Sequence, residues 1–315
     1  MYEKWKGVHT RCAFNMIQEL IPLTRPRTLA AALGPTILGA AFSYYAFGAA
    51  QGTGLAIFHT VLIFLAVVTA QIVANLWNEY KDFKSGLDAG QKVGNAGSIT
   101  RGVITPELII TMIKVLMFVP IIIGLYLSAT ITWYYIPVGF LCILISFLYS
   151  GGPKPISRTP FGEISSGIAM GFTIVLITGY AWIRELSLAL LIPAIPSTLL
   201  VGSIMLTNNI RDIRNDESHG RHTLPIVLGR ERALSLMSIS YIFNFIWIIA
   251  WIIVGHMTWF ALLAFLAAPL AFKTIRTLST NTDEFQLDKA MGTTAGAAMI
   301  YQLMWAIGLI MGKLI

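Results

Sequence analysis

Nine runs of about twenty predominantly apolar residues follow one another along this chain, at roughly 28–49, 55–77, 107–129, 132–150, 163–183, 187–208, 232–254, 257–278 and 293–313. Each is long enough to cross the hydrocarbon of a bilayer as an α-helix. A backbone in lipid must satisfy its own hydrogen bonds, so a chain built this way folds as an all-α, polytopic membrane bundle. The short turns leave no room for a separate soluble domain. We therefore expect residues 28–315 to form one transmembrane domain, preceded by a cytoplasmic or interfacial segment, 1–27. Part of that segment, residues 14–23, reads as an amphipathic helix lying along the membrane surface. With Lys4, Lys6, Arg11, Arg25 and Arg27 and no long apolar core or small-residue cleavage site, it does not read as a removed signal peptide.

A net charge of +7 could point to nucleic acid, but 56% hydrophobic residues with only 12% charged ones give it another meaning. The basic residues lie between the apolar runs, and 19 of the 22 Lys and Arg fall on one side of the expected membrane. Arg184 and Lys313 lie on the other side, and Lys114 falls inside the third run. By the positive-inside rule the N-terminus is cytoplasmic and the C-terminus external. Nucleic acid is not an expected partner. The two cysteines, Cys12 and Cys142, occupy different environments and suggest no disulfide framework.

Against this apolar background two polar stations stand out, each at the cytoplasmic end of an even-numbered run. Below the second run, Asn75, Asn78 and Asp82 recur at spacings of three and four, on one helical face, with Glu79 beside them and Asp88 beyond a Ser85-Gly86 break. Below the sixth run, Asp212 and Asp216 are four apart, with Asn208 and Asn209 just inside them and Arg211, Arg214, Arg221 and His222 around them. Carboxylates at a bilayer boundary are costly unless paired or used. Gathered together they repel unless cations lie between them. Mg²⁺ takes an oxygen shell, commonly one or two carboxylates plus substrate phosphate and water. Two such stations facing one another would let two Mg²⁺ ions clamp one diphosphate, with nearby Arg and Lys neutralising the rest. An apolar cavity above would receive the tail of an allylic prenyl diphosphate, ionised here and attacked by an electron-rich acceptor.

The residues carrying this pattern resemble the UbiA superfamily of intramembrane aromatic prenyltransferases. Asn78-Glu79-Tyr80-Lys81-Asp82 with Asp88 corresponds to its first aspartate-rich motif, and Asp212-Ile213-Arg214-Asn215-Asp216 to its second. Flanking stretches are most similar to the branch acting on 1,4-dihydroxy-2-naphthoate in menaquinone synthesis: RPRTL from Arg25, YSGGPKPI from Tyr149, NNIRDIRND from Asn208 and GRHTL from Gly220. The resemblance covers nearly the whole chain. It implies nine helices in a UbiA-type bundle, in the cell membrane, with the active site on the cytoplasmic side. It implies Mg²⁺ bound by Asn78, Asp82, Asp88, Asp212 and Asp216. The diphosphate or the acceptor carboxylate would meet Arg25, Lys84, Arg101, Lys154, Arg158 and Arg221, and Tyr149 would face the allylic cation. Two positions depart from the pattern: Glu79, where many relatives carry aspartate, and Lys81, where an aromatic residue is common.

Three alternatives make different demands. A UbiA-type enzyme could take another acceptor: 4-hydroxybenzoate, homogentisate, haem or a chlorophyll precursor. A cation transporter needs acidic groups near the midplane and on both sides, whereas the external side offers only Glu185. A noncatalytic scaffold leaves both aspartate spacings unexplained. Asp283, Glu284, Asp288 and Lys289 read as a solvated loop, Pro35 as an interruption of the first helix, and Trp133, Tyr134 and Tyr135 as an outer aromatic belt.

Overall fold

The computed structural model describes residues 20–86 and 97–315. Among them every regular element is a helix. In chain order the long helices are α1 (Ala30–Phe47), α2 (Thr53–Ser85), α3 (Pro106–Thr130), α4 (Tyr135–Ser150), α5 (Gly162–Ile183), α6 (Leu188–Ser218), α7 (Arg230–Ile253), α8 (Trp259–Thr280) and α9 (Glu284–Leu314). Eight of the described helices are long and apolar enough to cross a membrane; α4, at the position of the expected fourth span, is apolar but has only 16 residues.

Local chemistry sets most of the boundaries. Helix α3 starts behind Thr105, whose hydroxyl accepts from the Leu108 N–H at 3.3 Å, with Pro106 in its first turn and Glu107 next. Asp283 caps α9 in the same way through Gln286 N–H at 3.1 Å. Helix α2 runs on well past its apolar part and stops at the Ser85-Gly86 break, where Gly86 takes φ 73°.

Helix α9 lies against α1, α6 and α8, and around it Leu38, Phe42, Met237, Ile248, Tyr301 and Trp305 form the main buried core. Apolar side chains left outside, such as Phe118, Ile122, Phe140 and Ile239, face outward as a lipid-exposed surface requires. Helices α5 and α6 approach most closely through a π-helical turn, Gly167–Phe172: a Cβ on Gly171 would sit 2.6 Å from the backbone of Ser197 and Thr198. Small residues are what permit such backbone contact in lipid.

Several expectations need correction. Pro35 does not interrupt α1, which stays helical from Ala30 to Phe47. Pro35 has no N–H to donate to the Ala31 carbonyl one turn back, so that helical hydrogen bond is lost while the helix continues. Trp133 and Tyr134 are exposed, but Tyr135 turns inward and donates to the Ile177 carbonyl at 2.6 Å. The ninth helix starts at Glu284 rather than near 293, so Asp288 and Lys289 lie on a helix and not in a loop. Of the segment 14–23, residues 14–19 lie outside the described residues, as do Asp88 and Cys12, while Leu20–Leu23 is helical.

Candidate active site

Helix α2 carries a polar stripe, and each member grips a different part of the molecule. Gln71 Nε2 donates to the Thr28 carbonyl at 2.6 Å, and Asn75 Nδ2 to the Thr24 carbonyl at 3.0 Å. Asn78 Oδ1 accepts from the Ser150 hydroxyl at 2.8 Å, tying α2 to the end of α4. Glu79, 1% exposed, accepts the N–H groups of Gly97 and Ser98 on one oxygen at 2.9 and 2.8 Å. Its other oxygen, Oε2, is buried and unpartnered among the described residues. The two N–H groups give Glu79 a structural task, holding the chain that runs into α3. Asp82 ends the series one turn on.

The second station comes to Asp82 through Arg221. Helix α6 stops at Ser218; Gly220, at φ 69°, turns the chain back, and the Arg221 N–H donates to the Asp216 carbonyl at 2.9 Å. This reversal puts the Arg221 guanidinium between the two motifs. Its Nη2 lies 2.8 Å from Asp82 Oδ1 and its Nη1 3.3 Å from Asp216 Oδ1. Asp216 is only 2% exposed, so a charge there needs such a partner. Neighbouring backbone joins in, since the His222 N–H donates to the Arg158 carbonyl at 3.0 Å. Charge from Arg25 and Arg158 also acts on Asp82.

Asp212 is handled differently. Both of its oxygens receive the Arg211 fork at 2.7 Å, and Arg211 Nη1 goes on to Asp288 of α9 at 2.8 Å while Nη2 meets Asn208 Oδ1 at 2.9 Å. Asp288, read from sequence as solvated, is therefore part of a charged network between α6 and α9. Nothing in its local sequence signals this, because its partner is 77 residues away. Glu163 is a second interior carboxylate, accepting from Asn209 Nδ2 at 2.8 Å with Oε2 left unpartnered among the described residues. Tyr149 hydrogen-bonds with Ser166 and lies within reach of the charges of Glu163, Arg221 and Arg25.

Of the sequence-derived candidates, Asn78, Asp82, Asp216, Tyr149, Arg25, Arg158 and Arg221 thus converge, with Asp212 at the edge in the Arg211 fork. Lys84 is exposed and lies over the Tyr80 ring at 5.1 Å, not against a carboxylate. Arg101 is exposed and donates to the Ser98 hydroxyl at 3.2 Å. Lys154 is exposed on the loop after α4. Long cationic side chains at a water boundary gain more from solvation than from reaching inward, which sequence spacing alone does not reveal. Gln71 is hidden in sequence by the apolar run around it; its place one turn before Asn75 is the signal that puts it on the polar face.

A divalent cation would find suitable donors here. Asn78, Asp82 and Asp216 offer hard oxygens, and Oδ2 of each aspartate lies outside the Arg221 ion pairs. No group of three or more His, Cys, Asp or Glu converges among the described residues. That suits a cation held by one or two carboxylates and completed by phosphate oxygens and water, as Mg²⁺ prefers, better than one enclosed by protein alone.

Known proteins place this architecture. The 1,4-dihydroxy-2-naphthoate octaprenyltransferase of Bacillus subtilis is 35% identical over 303 residues, spanning 94% of this chain and 93% of that protein. Its namesake from Mycobacterium tuberculosis is 29% identical over 297 residues, 92% of this chain and 96% of that one. Among solved structures, the apo UbiA homolog from Aeropyrum pernix K1 superposes with a TM-score of 0.68 at 18% identity, covering 90% of this chain and 97% of that one. A UbiA homolog from Archaeoglobus fulgidus bound to GPP and Mg²⁺ gives 0.62 at 16% identity, over 90% and 98%. The structural likenesses speak for the fold. Because the UbiA prenyltransferase family model also matches residues 32–307, nearly the whole helical bundle that joins Asp82 to Asp216, this chain belongs to the UbiA prenyltransferase family.

Proposed function

We propose that this prenyltransferase moves a polyprenyl group from an allylic polyprenyl diphosphate to 1,4-dihydroxy-2-naphthoate, releasing diphosphate and CO₂ and giving demethylmenaquinol. The observation that carries the reading is the joint hold of Arg221 on Asp82 and Asp216, one residue from each motif. Two carboxylates brought that close beside a cation form a seat for a polyanion with its counterions. The choice of acceptor is supported by the naphthoate octaprenyltransferases that match this chain along almost its full length.

Asn78 and Asp82 would hold one Mg²⁺ and Asp216 a second, with Asp212 joining through water or on release of the Arg211 fork; Asp88 lies outside the described residues. Bound there, Mg²⁺ would supply charge that stabilises the departing diphosphate. Arg221 moves from its carboxylate partners to diphosphate oxygens, with Arg25 and Arg158 adding charge. The C1–O bond of the prenyl group breaks with its electron pair leaving on diphosphate. Tyr149 presents its ring to the cation that forms. The ring carbon bearing the naphthoate carboxylate then bonds to C1, and loss of CO₂ returns the electrons of the C–CO₂ bond to the ring.

In this reading nine helices span the cell membrane with α4 as a short fourth span, residues 28–315 form one domain, the N-terminus is cytoplasmic and the site opens to the cytoplasm. The positive-inside asymmetry supports that orientation. The test is mass analysis of the lipid product formed by purified protein from mixed prenyl diphosphates and Mg²⁺ with 1,4-dihydroxy-2-naphthoate or, in parallel, 4-hydroxybenzoate. A prenylated product lacking the carboxylate is expected; prenylation of 4-hydroxybenzoate with none of the naphthoate would overturn the acceptor assignment.

A further inference from the structure

Arg25 has a backbone that its own sequence does not favour. It precedes Pro26, and residues before proline default to extended conformations, yet Arg25 takes φ 50° and ψ 64°, in the left-handed region. For a non-glycine residue that conformation is strained and persists only where surroundings impose it.

The surroundings are two amides of α2. Gln71 and Asn75 stand four residues apart, one turn on a single helix face. Gln71 holds the Thr28 carbonyl and Asn75 the Thr24 carbonyl, so the chain is gripped on both sides of Arg25. Between these points the Arg25 carbonyl accepts the Thr28 N–H at 2.8 Å and its hydroxyl at 2.9 Å, and the Arg25 N–H donates to Pro22 at 2.9 Å. Leu23, 2% exposed, anchors the segment among Leu76, Ile99 and Ile104. In this setting the charge of Arg25 acts on Glu79, Asp82 and Tyr149.

Gln71 is costly as a purely structural staple. It is 7% exposed, and its Oε1 is buried without a partner among the described residues. An unmet buried acceptor weighs against folding, and an apolar side chain would fill the same space without that cost.

We propose that Gln71 and Asn75 are positioning residues, an amide clamp that keeps Arg25 in the left-handed conformation from which its guanidinium meets the prenyl diphosphate at the Asp82 station. The proposal rests on the prenyl-transfer reading above for its substrate. It predicts that the clamp acts through Arg25 and on the diphosphate, not on the aromatic acceptor.

Epistasis tests this. Gln71→Met with Asn75→Leu removes both donors at similar volume; Asn75→Ala alone is the smaller lesion should the double variant not fold. Full-length protein is assayed with geranyl diphosphate, 1,4-dihydroxy-2-naphthoate and Mg²⁺, with thermal melting as the check on folding. The clamp variant is expected to raise KM for geranyl diphosphate about tenfold, as loss of a charged contact does, with KM for the naphthoate unchanged. In an Arg25→Ala background the same substitutions should add nothing further. A clamp effect of full size in that background, or an unmoved KM for geranyl diphosphate, overturns the proposal. Direct binding of geranyl diphosphate with Mg²⁺ reads the clamp even where wild-type protein turns over no naphthoate, so failure of the acceptor assignment is separable from failure of the clamp.

Discussion

Arg221 reaches Asp82 across 2.8 Å, although 139 residues separate them in the chain. The same guanidinium reaches Asp216, so a single side chain sets the distance between the two acidic motifs. With side chains 12% exposed for Arg221 and Asp82 and 3% for Asp216, this is a largely desolvated triad rather than a surface ion pair. Removing Arg221 leaves two largely buried carboxylates without the cation they share.

Arg221→Ala should therefore lower kcat by about 10²-fold, the usual cost of losing one preorganised charge donor. Arg221→Lys should recover only part of it, since an ammonium cannot span both carboxylates as a fork does. Steady-state prenyl transfer in detergent or nanodiscs measures both; wild-type activity in the alanine variant would remove Arg221 from the reaction.

Asp82→Asn and Asp216→Asn should each abolish Mg²⁺-dependent transfer while the protein remains folded. An amide keeps the shape but loses the charge on which cation binding depends. Chelation with EDTA should silence the wild type, and a titration with Mg²⁺ should restore it. Full activity in either variant would defeat the two-station mechanism.

Asp288 should matter for stability more than for chemistry. It neutralises part of the Arg211 charge, and the Arg211 side chain is only 8% exposed. Asp288→Ala is expected to cost about 2 kcal/mol, less than a fully buried pair because Asp288 keeps 21% exposure and Arg211 retains Asp212. Thermal melting of the purified protein reads this, with KM values near wild type. A large KM change without loss of stability would instead make Arg211 part of the site.

Gly171→Ala should destabilise the α5–α6 contact. A methyl group 2.6 Å from the Ser197 carbonyl must push two helix backbones apart, and overpacking of this kind costs about 1–3 kcal/mol. The same displacement separates Glu163 on α5 from Asn209 on α6. Activity should fall together with melting temperature, whereas Gly124→Ala, with nothing within 4 Å of the added atom, should change neither.

Much of this was legible in one dimension because lipid is a strict solvent. A membrane span must be long, apolar and helical, so α3 at Pro106–Thr130 and α5 at Gly162–Ile183 lie close to their expected bounds, whereas α2, α6 and α9 extend beyond their apolar parts at polar ends that hydrophobic length does not mark. The aspartate spacings were equally visible, since residues three or four apart share a helix face whatever the tertiary fold. Where reading by pattern failed for Asp288 and Tyr135, a partner from elsewhere decided: Asp288 is held by Arg211, and Tyr135 is drawn in by the Ile177 carbonyl.

By itself, then, the sequence determined the solvent, the helical class and the two motifs, because hydrophobic length and helical periodicity are local properties of a chain. The tertiary structure alone decided which charges meet. Desolvation makes a buried carboxylate depend on whichever cation lies nearest in space, and here the turn at Gly220 brought Arg221 to Asp82 and Asp216, while Gln71 and Asn75 bent the chain at Arg25.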